Sequence, residues 1–395
     1  NFAKQNLKFW MQKEKRKADL SLRLTGASCF VEYVPKGVVG IVSPWNFPIN
    51  LSFSPLVSAL AAGNVAFLKP SEATPAVSDL MKTLVEEYFE ASEVAVVCGD
   101  AEVAKAFVEL PFDHLIYTGG ENIAKSIMAS AAKNLVPLTL ELGGKSPVII
   151  SKSADLKLAA KKLAFGKYFN AGQICIAPDY VLVAEEQLDT LIAELKSAVL
   201  HTDGSKGVDS VDVINLRHEE RMNQLAASAD ITNVAGLKSS SNAQQIAAEG
   251  SSYKLTVLVN PPADSLICQQ EIFGPVLAVF TADGLEKQIK IVNSRPHPLV
   301  IYYFGKDEQE FIRVNRSTKS GAVVKNDIIF QYANDDLPFG GVGSSGMGRY
   351  RGIDGFKEFS NHRAIYKAGL IDLSSFVTPP YGSIFNAMNK IMRKL

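Results

Sequence analysis

The chain has 395 residues, 47% hydrophobic and 21% charged, a composition that supports large cores and excludes intrinsic disorder. Its length exceeds one ordinary core, so two packed domains are expected. The 41 basic and 41 acidic side chains cancel, leaving no bulk electrostatic reason to bind nucleic acid or an anionic membrane.

Residues 1–24 read as one amphipathic helix with a basic outer face formed by Lys8, Lys13, Lys15, Arg16 and Lys17. There is no secretory signal at the start, and Asn1 in place of Met points to a chain cut from a longer one. The stretch 29–34 (CFVEYV) reads as an exposed strand closed by Pro35 and Gly37. Residues 37–68 carry no charge and match a bilayer in length. Pro44, Pro48, Pro55, Gly63 and Asn64 interrupt them, so buried strand and helix are expected instead.

Short apolar strands at 38–43, 65–68, 94–98, 114–117 and 138–140 alternate with helices at 53–62, 76–89, 101–110 and 123–135. That alternation predicts parallel pairing in a doubly wound α/β sheet, whose ligands sit at the carboxyl ends of the strands. A second α/β block has strands at 148–150, 181–183, 255–259, 276–280, 300–304 and 322–324. Its helices are expected at 186–199, 219–227, 286–292 and 308–315. The polar, Ser/Ala-rich stretch 201–252 gives no fold beyond the helix at 219–227. The expected division is a dinucleotide-binding domain over 1–143, a catalytic domain over 144–348 and a C-terminal segment over 349–395. The segment ends in an amphipathic tail from Ser383, for which docking on protein is favoured over membrane contact.

Four unevenly spaced cysteines form neither a disulfide framework nor a metal cluster and suit a reducing, cytoplasmic compartment. One of them, Cys175, sits in FGKYFNAGQICIAPDY (165–180), just after Gly172 and near Asn170 and Gln173. A thiolate with backbone N–H groups around it suits attack on a carbonyl carbon, although most free cysteines are simply small buried hydrophobes.

Other motifs surround it in sequence. In PWNFP (44–48) two prolines stiffen the backbone around Asn46, whose amide could donate to an oxyanion or merely cap a turn. In LKPSE (68–72) Lys69 could reach phosphate or ribose oxygens and Glu72 could accept from ribose hydroxyls, or the segment is an ordinary helix entry. YTGGENIAKS (117–126) sets Gly119 and Gly120 between strand and helix, where backbone N–H groups can approach a pyrophosphate. The acidic Glu121 that follows would oppose one. LELGGKSP (140–147) places Glu141 at the end of the last strand of the first half, as a general base for water or a partner of Lys145. QQEIFGPV (269–276) carries Glu271 and Phe273, suited to a nicotinamide ribose and ring or to a strand entry. Six glycines between Gly340 and Gly352 mark a loop of unusual backbone angles or close approach.

Taken together, these motifs resemble the aldehyde dehydrogenase superfamily from about Phe30 to Tyr366. GQICIAPDY, FDHLIYTGG, LPFGGVGSSGMG and the segment with Phe356, Phe359, Ser360 and Arg363 are most similar to its class 3 branch, which includes fatty, aromatic and coniferyl aldehyde dehydrogenases. The resemblance implies two Rossmann-type domains plus a small β oligomerisation element, and NAD or NADP as cofactor. It implies that Cys175 attacks an apolar aldehyde, that Asn46 and the Cys175 N–H hold the oxyanion, and that Glu141 activates water to release the acid. Glu141 also argues for hydrolysis over transfer to coenzyme A. Lys69 and Glu72 would bind the adenosine ribose, Gly119 and Gly120 would border the pyrophosphate, and Glu271 with Phe273 would hold the nicotinamide ribose. Residues 29–34 and the segment after Arg363 would form intersubunit β-structure in a homodimer. Two rivals are a cofactor binder without turnover and a cofactor-free thiol hydrolase. The second lacks an imidazole partner, since none of His114, His201, His218, His297 and His362 lies in a motif aimed at Cys175.

Overall fold

The structure, a computed structural model, describes residues 1–202, 211–229, 243–246, 255–372, 374 and 378–393. Parts of the stretch 201–252 and of the tail therefore lie outside the described residues.

The first sheet runs in the order Gly346–Met347, Leu138–Leu142, His114–Gly119, Val38–Val42, Val65–Lys69, Val94–Val96. All are parallel except Gly346–Met347, which adds antiparallel to the outer edge. The order reverses between Val38–Val42 and His114–Gly119, the switch point where such sheets bind ligands. The central strands are covered on both faces. Ile116 packs with Val39, Ile41 and Leu68 on one side, while Leu115 and Tyr117 pack with Phe107, Ile127 and Leu140 on the other. This is why the strands read as continuous apolar runs instead of alternating ones.

The second sheet has seven strands in the order Ala243–Ile246, Leu255–Val259, Val276–Thr281, Tyr180–Val183, Pro147–Ile150, Val300–Phe304, Ala322–Lys325, with only the first antiparallel. It shows the same two-sided burial: Tyr302 and Phe304 join one cluster, Ile301 and Tyr303 the other. A small antiparallel sheet joins Glu14–Arg16, Ser28–Pro35 and Ser360–Lys367. Its two long strands, expected to meet a neighbour, pair with each other from Ser360↔Pro35 to Lys367↔Ser28.

Three expectations are corrected. Residues 1–24 form a helix (Phe2–Trp10), a strand (Glu14–Arg16) and a short helix (Leu20–Leu24). Tertiary contacts override helical periodicity there: Trp10 is buried, the Tyr33 hydroxyl donates to Glu14 at 2.6 Å, and Lys13 pairs with Glu32 at 3.0 Å. A helix not foreseen, Leu156–Tyr168, precedes the thiol, so FGKY is helical. Asp155 caps it by accepting from the Leu158 N–H at 3.0 Å. The helix after PWN starts at Pro48, where a missing N–H costs nothing, and runs through Pro55 to Ala61.

Candidate active site

Helix Leu156–Tyr168 ends in a turn whose Asn170, Ala171 and Gly172 have φ of 50°, 51° and 70°. Left-handed backbone costs a non-glycine residue roughly 1–2 kcal/mol, so this turn is held by its surroundings. The Asn170 amide donates to Asn46 O at 3.0 Å and to Gln173 O at 3.3 Å. Gln173, buried, donates to Asn170 O at 3.0 Å and Asp212 O at 3.2 Å and accepts from the Ile214 N–H at 3.0 Å. Gly172 is obligatory on two counts: its φ is positive, and a Cβ there would lie 2.6 Å from Gly274 O. Beneath it the buried Lys167 donates to the same Gly274 O at 3.2 Å, and burial lowers its ammonium to about 8. Beyond the thiol, the Tyr302 hydroxyl donates to Ile176 O at 2.6 Å and accepts from the Ile329 N–H at 3.2 Å. The thiol's backbone is therefore clamped from both sides.

Cys175 is half-buried and borders two cavities. One, of about 240 Å³, is mixed in polarity and lies at the carboxyl ends of the first sheet. Asn46, Gly119, Gly120, Glu141, Glu271 and Phe273 all line it, so six of the expected site residues meet the thiol in one place. The other, of about 250 Å³, is lined by Phe47, Leu51, Phe169, Ile174, Ile176, Ile329 and Phe339, together with Asn50 and Tyr332.

Asn46 follows the Val38–Val42 strand, and its amide donates to Gln173 O at 3.0 Å. An amide carries two N–H groups, so a second remains for a ligand. Glu141, inside the strand Leu138–Leu142, is buried, and neither carboxylate oxygen has a hydrogen-bond partner among the described residues. Pairing with Lys145 is excluded, because that lysine donates to Asp179, to Ile267 O at 2.7 Å and to Gln270 O at 2.8 Å. Gly346 pairs with Glu141 across the sheet edge, and any side chain there would strike Leu140 O. The glycine-rich loop thus closes backbone-to-backbone over this strand.

Burial pushes Glu141 well above the usual carboxylate range, with Arg349 pulling it back and Glu358 adding to the rise. Burial, followed by nearby Asp179, raises Glu271 to about 8, against the Gly144 N–H, Arg221 and Lys145. Burial, then Glu271 and Glu141, raises the Cys175 thiol to about 12, while the Cys175 and Ile176 N–H groups lower it. Burial thus opposes ionisation of all three groups.

A dinucleotide fits the residues present. Gly119 and Gly120 stand at the start of helix Glu121–Ala132, a Cβ on Gly120 would meet nothing within 4 Å, and the cavity opens at the switch point. Glu121 is neutralised within its own helix by Lys125 at 2.7 Å. Phe273, half-buried with φ 51°, presents its ring to Trp45 edge-on at 5.5 Å. Lys69 and Glu72 do not line the cavity. They sit at the next strand's end, paired with each other at 2.8 Å.

Two lining residues escaped the sequence reading. His218 and Arg221, three apart on helix Leu216–Ala227, both reach the thiol's cavity, although no sequence motif aims the histidine at Cys175. His218 packs edge-on against Trp45 at 5.0 Å, and burial, with Arg221 and Arg217, lowers its pKa, keeping the ring neutral. Arg221 donates to Glu271 O and, at 2.9 Å, to Ile272 O. The only available signal was their shared helix face. Among the described residues no cluster of ligating side chains could hold a metal ion, and no helix is long and apolar enough to cross a membrane.

The aldehyde dehydrogenase family model matches residues 2–365. A probable coniferyl aldehyde dehydrogenase of Caulobacter vibrioides is 44% identical over 96% of this chain and 80% of its own length. A coniferyl aldehyde dehydrogenase of a Pseudomonas species is 43% identical over 97% of this chain and 80% of its own. The substrate-bound structure of Staphylococcus aureus AldH superposes with a TM-score of 0.88 at 38% identity, covering 99% of this chain and 84% of that one. With the thiol, the switch-point cavity and these likenesses in agreement, the chain belongs to the aldehyde dehydrogenase family, NAD(P)-using oxidoreductases that act on the aldehyde group.

Proposed function

We propose that the protein oxidises an apolar aldehyde, aromatic or medium-chain, to its carboxylic acid through a covalent adduct on Cys175. The observation that carries this reading is the position of the thiol between a mixed-polarity cavity and an apolar one. The aldehyde enters the apolar side, whose aromatic lining and the 44% identity to a probable coniferyl aldehyde dehydrogenase favour a ring-bearing substrate such as coniferyl aldehyde.

The Cys175 thiol gives up its proton to water in the cavity, its thiolate sulfur attacks the carbonyl carbon, and the free Asn46 N–H with the Cys175 backbone N–H receives the oxyanion. When bound, nicotinamide supplies the hydride acceptor. Glu271 and Phe273 would position its ribose and ring, Gly119 and Gly120 would border the diphosphate, and Lys69 and Glu72 would bind the adenosine ribose. A carboxylate at Glu72 disfavours a 2′-phosphate, which supports NAD over NADP. Glu141 then takes a proton from water, which attacks the thioester and frees the acid. Its buried carboxyl is uncommitted to any protein partner among the described residues, as a base for water requires. The outer edge of Ser360–Lys367, unpaired among the described residues, supports a homodimer built through the small sheet; a monomeric mass by light scattering at micromolar concentration would oppose it.

The test is formation of reduced nicotinamide from cinnamyl, benzyl and aliphatic aldehydes by the protein and by Cys175→Ala. Production lost in the variant supports the reading. Undiminished production by Cys175→Ala, or none by the parent with NAD bound, overturns it.

A further inference from the structure

The apolar cavity has one polar feature besides the thiol. Asn50, on helix Pro48–Ala61 of the first half, and Tyr332, in the short turn Phe330–Ala333 of the second, meet across the cleft, the tyrosine hydroxyl donating to Asn50 Oδ1 at 2.5 Å. Asn50 is exposed and Tyr332 half-buried, so the pair stands at the cavity's rim, and half-buried Cys175 lines the same cavity. The rest of the lining consists of phenylalanine, leucine and isoleucine side chains, none of which can hydrogen-bond.

The tyrosine is held with unusual firmness for a rim residue. The Arg351 guanidinium lies over its ring at 4.1 Å and donates to its carbonyl, Arg351 is itself paired with Asp335, and Phe339 packs edge-on at 5.0 Å. Burial raises the Tyr332 phenol above its ordinary range, so at neutral pH it keeps its proton and remains a donor. Ser54 and Tyr350 stand beside the hydroxyl. The Tyr350 hydroxyl is buried and makes no hydrogen bond of ordinary geometry among the described residues. The rim thus concentrates one acceptor and several donors at the edge of an otherwise apolar wall.

We propose that Asn50 and Tyr332 are a specificity-determining pair that recognises a hydroxyl carried by an aryl aldehyde at the end remote from its aldehyde group. This rests on the reading above, in which the aldehyde enters by the apolar cavity. A phenolic hydroxyl arriving at the rim donates to Asn50 Oδ1 and accepts from Tyr332, exchanging one hydrogen bond of the free protein for two. A ring without the hydroxyl leaves the pair closed on itself and still binds. The discrimination is therefore that of a single net hydrogen bond, roughly three- to tenfold in kcat/KM.

The experiment compares cinnamaldehyde with 4-hydroxycinnamaldehyde for the parent, Tyr332→Phe, Asn50→Leu and the double variant, reading the ratio of the two kcat/KM values within each protein. The parent is expected to favour the hydroxylated aldehyde by that factor, each single variant to keep part of the preference because its remaining partner still offers one hydrogen bond, and the double variant Asn50→Leu/Tyr332→Phe to bring the ratio close to one. Equal kcat/KM for both aldehydes in the parent, or a preference that survives both substitutions, overturns the pair while leaving aldehyde oxidation intact. Failure of the parent to oxidise either aldehyde overturns the functional reading and this inference with it. Asn50 is exposed and Tyr332→Phe removes only a hydroxyl, so a folded protein is expected for each.

Discussion

Replacing Glu271 with glutamine should make the protein more stable, increasingly so as pH rises. In the native protein burial, with Asp179 adding to it, raises this carboxyl to about 8, whereas its ordinary value is 4.5. Between those values the native state holds a proton that the unfolded state has released, so stability falls as pH rises, by about 1.4 kcal/mol per pH unit. The loss amounts to at most about 3 kcal/mol at pH 7 and levels off, at no more than about 4–5 kcal/mol, above pH 8, solvent reaching the half-buried carboxyl through the cavity keeping it below those figures. The glutamine amide keeps the shape of the carboxyl, still accepts from the Gly144 N–H and does not titrate. Variant and parent should match near pH 4.5 and diverge steadily to pH 8, then run parallel. Urea unfolding followed by tryptophan fluorescence at pH 5 to 9, without nucleotide, measures the gap. A gap that stays constant across that range, or a parent more stable at pH 8, would refute the argument.

The remaining predictions concern the thiol and its supports. Gly172→Ala combines a φ of 70° with a Cβ 2.6 Å from Gly274 O. Strain and overpacking together should cost about 2–4 kcal/mol in urea unfolding; a change under about 0.5 kcal/mol, the level of an ordinary surface substitution, would contradict the clamp. Tyr302→Phe leaves Ile176 O and the Ile329 N–H without their shared hydroxyl. It should lower stability by about 1–3 kcal/mol and lower kcat more than it raises KM; equal kcat and stability to the parent would deny the hydroxyl a positioning role. Glu141→Gln should retain a single-turnover burst of reduced nicotinamide but lose steady turnover by roughly a hundredfold or more; unchanged steady turnover would remove Glu141 as the base. Because burial raises both Cys175 and Glu141, kcat/KM should climb with pH through the alkaline range, and a profile falling above pH 7 would contradict that sign.

Much of this site was legible because its residues follow strand ends. Asn46, Gly119 and Gly120 each lie just past a short apolar run or at its last residue, and Glu141 lies within one. Parallel strands deliver all such ends to the same side of a sheet. Lys69 was found by the same rule, yet its strand is one further from the switch point, which puts it outside the cavity. His218 and Arg221 gave no such signal, since polar residues three apart on a helix read as a solvated face. Ala171 at φ 51° was equally silent, because alanine carries no left-handed preference and the turn is held by the hydrogen bonds of Asn170 and Gln173 on either side. The opening residues misled for a related reason. Their basic periodicity is real, but Glu14 and Lys13 find partners on Tyr33 and Glu32, and those cross-strand contacts outweigh local helix propensity. The wall of the apolar cavity comes from four separated stretches, residues 47–51, 169–176, 329–332 and 339, so no single motif could announce it.

Leu51 and Cys175 are the two residues that the neighbouring cavities share. They form a partition with a compartment on either side, and the sulfur is a hatch in it. On the proposed route traffic on one side need not wait for the other: an acyl group on the sulfur would occupy its own room while the opposite room empties and refills. An apolar molecule wedged in the first room should therefore act as a noncompetitive inhibitor toward nucleotide, and the two partners should not be forced into a fixed queue by a common doorway.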